Sequence, residues 1–233
     1  INPFAFPAQI HILEHIDRLV EIFNACWPMY AAMPAVLKDS IERSYQKAGW
    51  DLRRSVSTKG MFPTFFDLMD VLPGVIEESH YSNDTQSDYV GALYTRVKSL
   101  TNGIYGSVLC AEDTLTDEEL FDRNVIVDLS RVGSMETKAL LMGILVMKLQ
   151  EYRMCGDGMN SRLRHVTVLE EAHNLLRRTS AEQAQESANL QGKSVEMLAN
   201  AIAEMRTYGE GFIIADQAPG PLDTSVIRNT NTK

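Results

Sequence analysis

Apolar residues recur at helical spacing from Ile10 to about Trp27, at Ile12, Ile16, Leu19, Val20 and Phe23, and a second helix is expected from about Ala35 to Ala48. Residues 51–60 read as a loop carrying Arg53, Arg54 and Lys59. Thr64, with Asp67 three residues on, is a helix-start signal, because both side chains can satisfy first-turn backbone donors. Phe65, Phe66, Leu68 and Met69 then give that helix an apolar face up to Pro73. Residues 79–87 are polar and expected to be exposed, and Tyr89, Leu93, Val97 and Leu100 mark one more helix ending near Gly103. Residues 10–102 are therefore a mainly helical unit.

The pattern changes after Ser107. Thr116 and Glu119 fit a capping box, and Asn124-Val125-Ile126-Val127-Asp128-Leu129-Ser130 reads as a buried strand. Residues 134–153 are helical and apolar nearly all round in the middle, so this helix should be covered on more than one side. After a loop at 156–160, Val166-Thr167-Val168-Leu169 is the right length for a strand buried on both faces, and it stops on Glu170 and Glu171. A helix from about Ser194 to Thr207 leads through Gly209 and Gly211 into Phe212-Ile213-Ile214-Ala215-Asp216-Gln217. Alternation of strand and helix is the signature of a parallel sheet with right-handed crossovers. Each expected strand ends on polar residues: Asp128 and Ser130, Glu170 and Glu171, Asp216 and Gln217. Ligands of open parallel sheets sit outside the carboxyl ends of the strands, so these residues point to one common site.

Adjacent carboxylates at such a site suit nucleotide hydrolysis. One can hold Mg2+ through its waters while the other orients or deprotonates the water that attacks a γ-phosphate. Glu170 is assigned to the metal and Glu171 to the water. The octapeptide alone fits equally well two glutamates that merely open a solvated loop; the repetition of polar strand ends favours the catalytic reading.

Length and composition, 233 residues with 45% hydrophobic and 23% charged, allow one sizeable core or a core with a subdomain and exclude a disordered or fibrous chain. A net charge of -9 argues against a simple basic nucleic-acid module, though not against a ring whose pore alone is basic. Cys26, Cys110 and Cys155 are too few and too scattered for a disulfide framework, which favours a reducing cytoplasm. The apolar run at 139–147 is about half the roughly 20 residues that span a bilayer, so no membrane segment is expected. His11 and His15 lie four apart but lack the HExxH pattern, and a solvent-facing pair is expected.

Together these residues resemble the HerA-like P-loop ATPases, a branch of the RecA-like translocases close to FtsK and to conjugative secretion ATPases. The matching pieces are Asn2-Pro3-Phe4, Arg96-Val97-Lys98-Ser99-Leu100 running to Gly106, Val127-Asp128-Leu129-Ser130 and Val168-Leu169-Glu170-Glu171-Ala172-His173. They continue with Arg206-Thr207-Tyr208-Gly209, Ala215-Asp216-Gln217-Ala218-Pro219 and Asn229-Thr230-Asn231-Thr232-Lys233. The resemblance implies an α/β fold: a RecA-like P-loop ATPase core with a parallel sheet over residues 105–233, and a mainly helical subdomain, residues 1–104, inserted in it. It makes Glu170 and Glu171 the Walker B acids and Gln217 a polar sensor of the γ-phosphate. Arg206 becomes an arginine that reaches the nucleotide, including from a neighbouring subunit. Arg206 could equally offset a helix dipole, and Gln217 could be an ordinary loop amide.

The activity implied is ATP hydrolysis with Mg2+ by a homohexamer that drives double-stranded DNA through a central pore, working in the cytoplasm with a nuclease or other effector protein. Two alternatives stand beside it: an ATPase-derived scaffold that regulates a partner enzyme with little turnover, and a conjugative pump with an additional N-terminal docking domain. One departure weighs against full agreement. The chain has no G-x-x-x-x-G-K-[ST]; Gly192-Lys193-Ser194 supplies the last three letters, but Ser187 stands five before Gly192 and no strand precedes it. That tripeptide is expected to start a helix with Ser194 as its cap. In the family the phosphate loop lies upstream of the Asn2-Pro3-Phe4 segment, so the chain reads as an internal fragment that alone binds ATP weakly or not at all. Roles for His173 in touching nucleotide, in a subunit contact, or in neither stay open. Arg177-Arg178 with residues 179–191 is either a DNA-contacting pore loop or a mobile linker, the linker being favoured.

Overall fold

A computed structural model describes residues 1–111, 114–156, 158–178, 185–217 and 220–229, with the backbone alone for 185–191. The chain forms two compact units: Ile1–Val20 with Tyr30–Leu115, and Glu21–Met29 with Thr116–Lys233. The resemblance implies a boundary after residue 104, and the sequence pattern gives no sign that residues 21–29 go with the second unit.

In the first unit, α1 (Ile12–Cys26, of which residues 12–20 belong here) and α2 (Met33–Lys47) are followed by a small antiparallel hairpin, β1 (Trp50–Asp51) and β2 (Val56–Ser57). The hairpin occupies the expected loop. His15 is fully buried, stacked 4.8 Å from Phe6 and beside Tyr45, so the expectation of a solvent-facing histidine pair is corrected: the aromatic cluster around Phe6 takes the imidazole as a ring. Next, α3 (Phe65–Glu78) has the expected capping box of Thr64 and Asp67. It runs past Pro73, where the sequence ends it. An internal proline is unfavourable by about 3 kcal/mol. Burial of Val75 and Ile76 beyond it contributes roughly 1.5–3 kcal/mol each, enough to carry the helix on. A further helix, α4 (Asn83–Tyr89), continues through a π-helical turn, Val90–Tyr94, into α5 (Thr95–Thr101), and α6 (Gly103–Leu109) closes the unit.

The second unit begins with α7 (Asp117–Phe121), capped by Thr116 and Glu119 as expected. The strand expected at Asn124–Ser130 is not formed: residues 124–129 pair with no strand among the described residues, and Ile126 is 95% exposed. Its β-branched residues have the propensity, but a strand also needs a pleated neighbour to pack on. Helix α8 (Met135–Met154) is buried on nearly all sides of its middle, as its apolar periphery predicts. Gly143 allows close approach, since a Cβ there would stand 2.7 Å from Ile22. After it come β3 (His165–Glu170), α9 (Gln185–Glu204), a 3-10 turn at Met205–Tyr208, β4 (Glu210–Ala215) and α10 (Thr224–Asn229). Because α9 starts at Gln185, Gly192-Lys193-Ser194 lies inside a helix, and Ser194 is no cap: its buried hydroxyl donates to the Glu21 carboxylate at 2.6 Å. Within the run at 179–191, residues 179–184 and the side chains of 185–191 lie outside the described residues, as do 218–219 and 230–233.

Strands β3 and β4 pair in parallel, from His165 opposite Glu210 to Glu170 opposite Ala215. The expectation that β3 is buried on both faces is corrected. Leu169 is buried, but Val166 and Val168 lie on an exposed face, Val168 54% exposed, because no element of the described chain covers that side. A charged network pins the other end of the strands. The fully buried Glu210 accepts from Arg153 Nε at 2.8 Å through Oε2 and from Thr167 at 2.7 Å through Oε1, which His165 Nδ1 also meets at 2.8 Å. Arg153 also donates to Asp122 and to the Phe121 carbonyl, tying α8 to the end of α7. The Asp122 carboxylate, accepting from Tyr152 at 2.6 Å, pushes that phenol up to about 12. Among the described residues no helix is long and apolar enough to cross a membrane.

Candidate functional site

Parallel pairing in register brings the residues that follow β3 and β4 out of the sheet at the same edge. Glu171 follows Glu170 at the end of β3, and Asp216 and Gln217 follow Ala215 at the end of β4. Glu170, Glu171 and Gln217 are all exposed there. Period-two alternation puts Glu170 on the same open face as Val166 and Val168.

Glu171 adopts the left-handed conformation, φ 49° and ψ 44°, which is uncommon for a residue with a side chain and concentrates at functional sites. Its carboxylate lies 3.6 Å from Lys138 Nζ on α8, and Asn174 Nδ2 donates to its backbone carbonyl at 2.9 Å. The chain then makes a short 3-10 turn, Ala172–Asn174, fixed by the buried Ala172, Leu175 and Leu176. Across from it the Asp216 side chain is only 4% exposed, and its Oδ2 meets both donors of one residue: the His173 backbone N–H at 2.9 Å and His173 Nδ1 at 2.8 Å.

The third expected polar strand end does not join this pair. Asp128 accepts from the Ser130 N–H at 2.8 Å in a local turn, and that backbone hydrogen bond holds its carboxyl below the usual range. With no strand at 124–129, the coincidence of three strand ends reduces to two. Arg206 is not brought to the site either. It is exposed in the 3-10 turn that precedes β4, so it lies at the opposite end of a strand about 17 Å long. There it borders a groove of about 660 Å³ along β4, with Ile202, Ala203, Phe212 and Ile213. Its position in the last turn after α9 is also the one that offsetting the helix dipole requires.

Chemically, the edge offers hard oxygen donors from Glu170 and Glu171. Such a pair suits Mg2+, which keeps several waters and takes one or two protein carboxylates together with substrate phosphates. Among the described residues no three His, Cys, Asp or Glu side chains form a closed metal cage. Sequence reasoning missed Lys138 and the pairing of His173 with Asp216. Lys138 follows the Ser134 cap by four residues, so it stands in the first turns of a helix entering this edge, a signal that could have drawn attention to it. The other contact joins residues 43 apart and left no local trace. Comparison of the chain with family models, with curated proteins and with solved structures gave no match.

Proposed function

We propose that this chain carries the hydrolytic half of a Mg2+-dependent, HerA-type ATPase with a RecA-like core, which acts as a hexameric translocase or helicase on double-stranded DNA in the cytoplasm. The observation that carries the reading is the shared edge of β3 and β4, where Glu170, a left-handed Glu171 and Gln217 emerge from strands in parallel register. In this reading Glu171 orients and deprotonates the attacking water, Glu170 holds Mg2+ through its waters, and Gln217 contacts the γ-phosphate. Bound Mg2+ supplies neutralisation of charge on the phosphate oxygens. Arg206, at the far end of β4, serves a nucleotide held by the adjacent subunit of the ring that the HerA resemblance implies.

The second reading is an oligomeric scaffold that regulates a nuclease or other effector. The placement of Arg206 at the far end of β4, away from Glu170 and Glu171, favours it. ATP turnover by the full-length protein, with and without double-stranded DNA, separates the two. The motor reading expects DNA-stimulated turnover that Glu171→Gln lowers by about 10²–10⁴-fold, the usual worth of a general base. Negligible turnover, or turnover indifferent to DNA and to Glu171→Gln, replaces it with the scaffold.

A further inference from the structure

We propose that Asp216 and His173 form a clamp that positions Glu171 and couples its turn to Gln217. The inference rests on the hydrolytic reading of that edge and adds two positioning residues to it. Its ground is the double contact. One oxygen of a nearly buried carboxylate takes the backbone N–H and faces the ring Nδ1 of the same residue, at 2.9 and 2.8 Å. Hydrogen bonds to an ionised acceptor are stronger than neutral ones, and removal from water strengthens them further. A carboxylate at Nδ1 selects the tautomer that carries its proton there.

His173 is two residues beyond Glu171. A left-handed backbone at a non-glycine residue persists only where its surroundings over-determine it. Here β3 holds one side of Glu171, through the Glu170–Ala215 pairing, and the Asp216 clamp holds the other. Asp216 directly precedes Gln217, so a shift of the Gln217 amide when the γ-phosphate departs is transmitted through one peptide unit to the carboxylate that fixes the Glu171 turn.

The test is steady-state ATP turnover of the full-length protein carrying His173→Ala, His173→Asn, His173→Gln or Asp216→Ala, with Glu171→Gln alongside and amide hydrogen exchange at His173. Displacement of the turn should lower kcat of His173→Ala about 10- to 100-fold with KM nearly unchanged. His173→Asn, whose amide nitrogen stands where Nδ1 was, should recover most of the loss. His173→Gln, which mimics Nε2, should not. Asp216→Ala should lower kcat similarly and speed exchange of the His173 amide. Recovery by Gln in place of Asn, unchanged kcat in His173→Ala, or unchanged exchange in Asp216→Ala overturns the clamp while leaving Glu171-dependent hydrolysis standing. Absence of Glu171-dependent turnover in the wild type overturns the hydrolytic reading and the clamp with it.

Discussion

Glu171 sets the chemistry proposed for it against backbone preference at a single residue. Glycine adopts φ 49°, ψ 44° without the clash that a Cβ brings, a difference of about 1–2 kcal/mol. The exposed contact of Glu171 with Lys138 returns less, about 0.5 kcal/mol. Glu171→Gly is therefore expected to raise unfolding stability by about 1 kcal/mol in urea titrations while abolishing the turnover proposed for Glu171, and a loss of stability would show that the side chain holds the turn. The two acids were legible in the sequence because a short β-branched run ending in charge is a strong local pattern. The left-handed turn was not, since Leu169-Glu170-Glu171-Ala172 holds no glycine or asparagine to announce it.

Elements whose determinants are local were the ones the sequence disclosed. Capping boxes at Thr64 and Thr116 and the helix around Leu140–Leu149 rest on neighbours within a few residues, while the strands at 165–170 and 210–215 show a strong local apolar pattern and find each other 45 residues apart. Where tertiary context decides, the pattern misled: α3 crosses Pro73 because its far turn is buried, and Asn124–Leu129 has strand composition without a paired strand among the described residues. The anchoring of β3 and β4 at their other end is likewise tertiary. Glu210 is fully buried against Arg153, itself scarcely exposed, so Glu210→Gln leaves the guanidinium undercompensated. Removing one partner of such a pair typically costs 3–5 kcal/mol, and a loss of about 3 kcal/mol is expected here. Urea denaturation measures it; a loss below 1 kcal/mol would mean that Asp122 alone suffices for Arg153.

On the scale of the molecule, α1 is one unbroken helix whose residues up to Val20 belong to the first unit and whose residues from Glu21 belong to the second. The second unit is therefore discontinuous in sequence. A polypeptide starting at Thr116 lacks Ile22, which lies against Gly143 on α8, and Glu21, which accepts from Ser194. Such a truncation is expected to bind a hydrophobic dye and to lose its near-ultraviolet circular dichroism, and adding back residues 1–29 by fusion is expected to restore both. A native-like spectrum from residues 116–233 alone would refute this.

The same discontinuity imposes an order on synthesis. At about 5–20 residues per second, roughly 120 residues pass between the emergence of Ile22 and that of Gly143, a delay of about 6–24 s. Through that interval the apolar second half of α1, with Ile22 and Phe23, has been made without α8, whose Gly143 lies against Ile22. A nascent chain of this protein thus exposes an apolar helical segment for seconds before the residues that pack on it have been made.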